Sequence, residues 1–150
     1  MLTTDLNSDY RDMLSLLLQH QVEFMLIGAY ALAIYGIPRS TGDIDLFIKC
    51  SPENARKVHA ALIEFGAPVD PMNPSYLAHY GNMLQIGVAP CRIDLITHID
   101  GVIFSEAKSE RALWDGLVIP VISQEDFKKN KRASARPKDL ADILALEKNA

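Results

Sequence analysis

The hexapeptide DIDLFI at positions 43–48 limits the fold of this chain more than any other stretch. Its apolar residues are those of a strand that packs into a core, yet two aspartates flank Ile44. Side chains alternate faces along a strand, so Asp43 and Asp45 share one face at a Cα separation of about 6.5–7 Å. Ile44, Leu46 and Ile48 then point to the opposite, buried face. Two carboxylates held so close repel, and partial burial pushes both toward the protonated form. A divalent cation between them removes both penalties. Oxygen-only donors suit Mg²⁺ or Mn²⁺, and converging carboxylates can hold a metal pair about 3.5–4 Å apart.

A third aspartate has the same character. In CRIDLITHI, Asp94 lies between Ile93 and Leu95 in an apolar run, with no turn or helix cap to account for it. If this strand lies beside the first, three acids converge on one face. Otherwise each acid is met by an edge position or by a basic neighbour such as Arg92, and the sequence leaves that pairing open.

The residues before the pair add a second element. VEFMLIG reads as a buried strand closed by Gly28, AYALAIYG as a short buried helix ending at Gly36, and IPRSTG as a loop. A strand that ends in glycine and turns directly into a helix offers free backbone N–H groups to an anion, and glycine permits close approach of the backbone. Arg39, Ser40 and Thr41 place a cation and two hydroxyls just before the carboxylates. A phosphate cradle joined to a metal-binding carboxylate pair suggests a nucleoside triphosphate held through its metal.

The rest of the chain supplies the frame. Tyr10, Met13, Leu14, Leu17, Leu18 and Val22 follow the spacing of one helical face. SPENARKVHAALIEFG predicts a helix capped by Ser51 with Pro52 in its first turn. APVDPMNPSYLAHYGN, with three prolines, reads as loop, and MLQIGVAPCRIDLITHI as two strands joined by a tight turn around Ala89 and Pro90. SEAKSERALWDG is expected to be a helix and LVIPVIS a strand. Ser123 and Asp126 then open a short basic helix, and PKDLADILALEKN a final one. Strands joined both by helices and by a hairpin imply an α+β fold, a mixed sheet flanked by helices, within a single domain spanning residues 1–150.

Composition excludes several classes. Nearly half of the 150 residues are apolar, as in a folded globular chain. No apolar run reaches the roughly 18–20 residues needed to span a bilayer. MLTTDLNSDY carries two acids and no base, unlike a signal peptide, and a cytoplasmic setting is expected. Cys50 and Cys91 are too few for a disulfide framework; as they end one carboxylate strand and begin the other, they are expected near each other, reduced. Six bases and no acid lie between Lys128 and Lys138, and setting them aside from the net charge of −4 leaves the remainder near −10. Such a patch fits a phosphate-bearing ligand, although a basic run is more often a solvated helix face.

IGAYALAIYGIPRSTGDIDLFI resembles the core motif of the nucleotidyltransferase (polymerase-beta-like) superfamily: a glycine-led turn, a helix, then Asp-x-Asp, with thirteen residues between Ala29 and Asp43. Tyr35-Gly36, Arg39, Thr41, Asp43 and Asp45, followed by Asp94, IDGVIFSEA, Lys131 and RPKDLADI, resemble the AbiEii-type branch, linked to toxin–antitoxin and phage-defence systems. The resemblance implies transfer of a nucleoside monophosphate from an NTP to a hydroxyl acceptor, on an RNA end, a protein side chain or a small molecule, with Mg²⁺ or Mn²⁺ on Asp43, Asp45 and Asp94. It implies that the triphosphate lies against Gly28, Ala29, Arg39, Ser40 and Thr41, with Lys131, Arg136 and Lys138 within reach. A toxin–antitoxin partner protein is a further implication. One position departs from the pattern: where the family has glycine or serine after the first glycine, this chain has Ala29, which keeps the N–H and lacks a hydroxyl. That departure supports an alternative, a catalytically degenerate fold retained as a binding module or antitoxin-like scaffold.

Other residues read as structural. His79 beside Tyr76 and Tyr80 belongs to a packed loop, and His20 and His59 to ordinary helices. His98 with Asp100 has no Ser or Cys nucleophile beside it, and Trp114, on its expected helix, is a core or interface anchor.

Overall fold

A computed structural model describes residues 6–149. The elements in chain order are α1 (Ser8–Gln19), β1 (Phe24–Ile27), α2 (Gly28–Ile34), β2 (Asp43–Ile48), α3 (Pro52–Phe65), β3 (Met83–Ile86), β4 (Arg92–Ile96), β5 (Ser109–Trp114), β6 (Leu117–Ile122), α4 (Gln124–Ser134) and α5 (Pro137–Lys148). The strands form one mixed sheet in the order β3-β4-β2-β1-β6-β5. β2 runs parallel to β4 and β1 parallel to β6, and the other neighbours are antiparallel.

Local chemistry sets the helix ends. The Asn7 side chain accepts from Tyr10 N at 2.9 Å and opens α1. Ser51 accepts from Asn54 N at 3.1 Å with Pro52 at the first helical position, and Gly66 closes α3 in the left-handed conformation (φ 88°). Ser123 Oγ accepts from Asp126 N at 3.1 Å and opens α4. Tyr10, Met13, Leu14 and Leu17 of α1 and Val58, Ala61 and Leu62 of α3 are buried in the core with Ile44, Leu46 and Ile48 of β2. The Tyr10 hydroxyl donates to the carbonyls of Pro90 and Arg92, each at 3.1 Å, and so pins the start of β4. No helix among the described residues is long and apolar enough to cross a membrane.

Two expectations are corrected. Residues 105–116 do not form a helix: a 3-10 turn at Phe104–Glu106 leads into β5, which pairs with β6 through all six residues from Ser109↔Ile122 to Trp114↔Leu117. The cause is the turn. Asp115 (φ 49°) and Gly116 (φ 78°) both take positive φ, the two-residue connection whose twist matches antiparallel strands. Trp114 is nonetheless a core anchor, 3 % exposed and 5.2 Å from the Tyr30 ring. Nor do the cysteines meet. The parallel register runs from Asp43↔Arg92 to Phe47↔Ile96, so Cys91 precedes one end of the pair and Cys50 follows the other.

Candidate active site

The register of β2 on β4 builds the acidic centre. Asp45 lies directly beside Asp94, and Asp43 beside Arg92. Asp43, Asp45 and Asp94 therefore share a face and each offers a carboxylate oxygen within 4.8 Å of the others. The same face is closed further along β2, where Phe47 is buried edge-on against Phe104 at 5.2 Å. Two clefts open at its aspartate end.

Arg92 is the first cation to meet these acids. One terminal nitrogen of its guanidinium donates to Asp43 Oδ2 at 3.0 Å and to Asp94 Oδ2 at 3.1 Å, while Nε donates to Asp94 Oδ1 at 3.0 Å. The Thr41 hydroxyl donates to Asp43 Oδ1 at 2.8 Å. Burial pushes the Asp43 carboxyl up, but the Thr41 hydrogen bond and the Arg92 charge outweigh it and hold the group below its ordinary value. Asp45 has no such support. Burial first, then the charges of Asp43 and Asp94, raise its pKa to about 7. The sequence alternatives of convergence and pairing with Arg92 are thus both realised, with Asp45 left as the uncompensated member.

Gly28 closes the acidic centre from the side of β1. It takes φ 73°, and a Cβ there would stand 2.4 Å from Asp45 Oδ2, so no other residue lets the backbone come this close to the carboxylate. Beyond it lies a cleft of about 250 Å³. Gly28, Ala29, Arg39, Ser40, Thr41, Lys131, Arg136 and Lys138, eight residues singled out in the sequence for a triphosphate, all line this cleft together with Asp43 and Asp45. Asp94 stands behind them, 4 % exposed, and is not on the lining. A second cleft of about 270 Å³ shares Gly28, Asp45, Lys131 and Arg136 with the first and is walled by Ile96, His98, Asp100, Asn130 and Ser134.

The chain matches no family model and no curated protein by sequence. Its fold does have neighbours. TM1012, a Thermotoga maritima protein put forward as a nucleotidyltransferase, superposes with a TM-score of 0.59 at 16% identity over 93% of this chain and 88% of that one. The lincosamide antibiotic adenylyltransferase LnuA, in its lincomycin-bound structure, gives 0.57 at 14% identity over 99% and 100%. ANT(2″)-Ia, in complex with adenylyl-2″-tobramycin, gives 0.60 at 15% identity over 91% and 84%. The fold is the nucleotidyltransferase fold.

Within the nucleotidyltransferase fold of this chain, three residues at the site were not assigned from sequence. Arg92 was visible only as one way of neutralising an aspartate. Asp139 and Asp142 belong to the tail motif, and the structure buries both, at 0 % and 2 % exposure, Asp142 on the lining of the cleft and Asp139 behind Arg136. Their signal was present: two acids three apart, one following a run of bases, on a helix whose other core positions are apolar. His98 lies on the wall of the second cleft, with Nε2 3.5 Å from Asp100 and Nδ1 against the Tyr80 hydroxyl. His79 stays on the exposed loop.

Proposed function

We propose that this chain is a nucleotidyltransferase that moves a nucleoside monophosphate from an NTP to a hydroxyl acceptor. The observation that carries this reading is the single cleft in which eight phosphate-suited residues face two strand aspartates, with a third aspartate one strand away. In this reading Arg39, Lys131, Arg136 and Lys138 neutralise the phosphate chain, the Gly28 and Ala29 amides and the Ser40 hydroxyl donate to it, and Thr41 orients Asp43. With seven residues, α2 has a small dipole, so the amides and cations supply the anion binding. The donor set of three carboxylates suits Mg²⁺ or Mn²⁺, which when bound neutralises phosphate charge and lowers the pKa of an attacking hydroxyl.

The acceptor oxygen bonds to the α-phosphorus, the bond from that phosphorus to the bridging oxygen breaks, and pyrophosphate leaves. Asp94, oriented by two bonds from Arg92, is the carboxylate assigned to receive the acceptor proton and pass it to water. The second cleft, which meets the first at Asp45, suits the acceptor. Two of the fold neighbours are antibiotic adenylyltransferases by name or by ligand, which supports a small hydroxylated acceptor; an RNA end or a protein side chain is the other outcome of the test. The AbiEii-type branch and a toxin–antitoxin partner rest on the likeness at Tyr35-Gly36, Arg39, Thr41, Asp94, IDGVIFSEA, Lys131 and RPKDLADI, and a cytoplasmic setting fits two free cysteines. Incubation with labelled NTPs, total RNA, cell protein and a panel of hydroxylated antibiotics tests the reading. Label in any one fraction, lost in Asp43→Asn and Asp94→Asn, is the expected result; label in none of them, with any NTP, refutes it.

Two observations favour a second reading, a non-catalytic module. Arg92 already satisfies two of the three carboxylates, and Ala29 lacks the family hydroxyl. A thermal melt separates the two: an enzyme gains stability with Mg²⁺ and its NTP, whereas a scaffold shows no shift with any of the four.

A further inference from the structure

The cations of the phosphate cleft are not free side chains. Three of the four are tied to two buried carboxylates on α5. Asp139 accepts from Arg136 Nε at 2.8 Å, from a terminal guanidinium nitrogen at 3.2 Å and from Ser134 Oγ at 2.8 Å, and Lys131 Nζ stands 3.6 Å away. Asp142 pairs with Arg39, which lies 103 residues earlier in the chain. Lys138 alone has no carboxylate partner within 4 Å among the described residues.

Two ordinary roles do not account for this. Asp139 caps α5, but its bond to Arg136 N is 3.4 Å, longer than those to the guanidinium and to Ser134. Asp142 lies in the second turn of α5, where no cap is needed, and Arg39 is its partner. A pair that served only to fasten the chain could use apolar packing at less cost in desolvation. Here Asp139 holds Arg136 through Nε and one terminal nitrogen and Asp142 holds Arg39 through one terminal nitrogen, which leaves further N–H groups on each guanidinium. A guanidinium has five N–H groups, and Asp139 engages two nitrogens of Arg136. A cation fixed before the ligand arrives loses less freedom when it binds.

We propose that Asp139 and Asp142 are positioning residues that hold Arg136, Lys131 and Arg39 in the orientation that takes the phosphate chain of a nucleoside triphosphate, an inference that rests on the nucleotide reading of this cleft. The sign of the effect makes it testable. Removing a negative charge from beside the cations of the cleft should, as a pure charge change, tighten anion binding. Positioning demands the reverse.

The test is calorimetric titration of the full chain with inorganic tripolyphosphate and Mg²⁺, the part common to every NTP, at fixed salt, with folding checked by circular dichroism. Asp139→Asn and Asp142→Asn should each bind about tenfold more weakly than wild type. Unchanged or tighter binding overturns the proposal. In an Arg39→Ala background, Asp142→Asn should add less than about twofold, because it acts through Arg39; an undiminished effect there overturns the assignment of Asp142. Should an asparagine variant not fold, Ser134→Ala removes one bond from Asp139, and Arg39→Lys keeps the charge while losing the planar fork. Each should weaken binding about threefold, and wild-type affinity in either one overturns its half of the proposal. Failure of the wild-type chain to bind tripolyphosphate sinks the nucleotide reading itself.

Discussion

Asp45 and Gly28 show how far a single contact can decide a site. The carboxylate of Asp45 is half-buried between Asp43 and Asp94, and desolvation with their charges lifts its pKa from the ordinary 3.8 to about 7. The sign of the linkage follows. The fold prefers the protonated acid, so stability is fullest below the unfolded pKa and is lost as pH rises from about 4 to about 7. Metal-free Asp45→Asn, which fixes the neutral form, should therefore melt progressively higher than wild type across that window, and Mg²⁺ should raise the wild-type melting temperature at pH 8 but not that of the variant. A constant difference between the two proteins from pH 4 to 8 would count against the shift. Gly28→Ala meets two penalties at once, a left-handed backbone worth about 1–2 kcal/mol and a Cβ driven against Asp45. Urea denaturation should show a loss of at least that size, together with loss of the Mg²⁺-dependent stabilisation. At this scale the sequence is highly legible: alternation along DIDLFI predicts which side of β2 each residue occupies. Arg92 was not assigned because its contact with Asp43 exists only across two strands 49 residues apart.

Elements were readable wherever an end signal was unambiguous. Ser51 and Pro52 open α3 by known capping chemistry, and the structure keeps both in those roles while Gly66 closes the helix. The error fell on β5. SERALW contains good helix formers, and six residues are too few for periodicity to decide between helix and strand. The decisive signal was outside the segment, in the Asp115-Gly116 turn, and in pairing that becomes visible only once β6 is in place. Gly116→Ala tests that explanation. At φ 78° it should cost about 1 kcal/mol in chemical denaturation, although a new Cβ there meets nothing closer than Arg11 at 3.5 Å. A neutral result would mean that the hairpin does not depend on its turn.

The whole molecule was the least legible level. The two parallel pairings, β2 with β4 and β1 with β6, join segments separated by about one-third and two-thirds of the chain, and no local pattern encodes such neighbours. What the charge distribution did foretell is a basic segment set on an acidic body. Binding of tripolyphosphate or NTP should accordingly weaken several-fold between about 50 and 200 mM salt as exposed cations are screened, while unfolding free energy in the absence of ligand changes little. Salt-independent binding would place the contact energy elsewhere than in Arg39, Arg136 and Lys138, the exposed cations of the cleft.

The parallel alignment of Asp45 with Asp94 has a temporal corollary. During synthesis the first two acids emerge some fifty residues ahead of the third, and the clamps on Arg39 and Arg136 emerge later still, with residues 139 and 142. On the nucleotide reading proposed above, the phosphate-binding cations are held in place only after residue 142 has been made, so a nascent chain would gain its chemistry in one late step rather than by degrees.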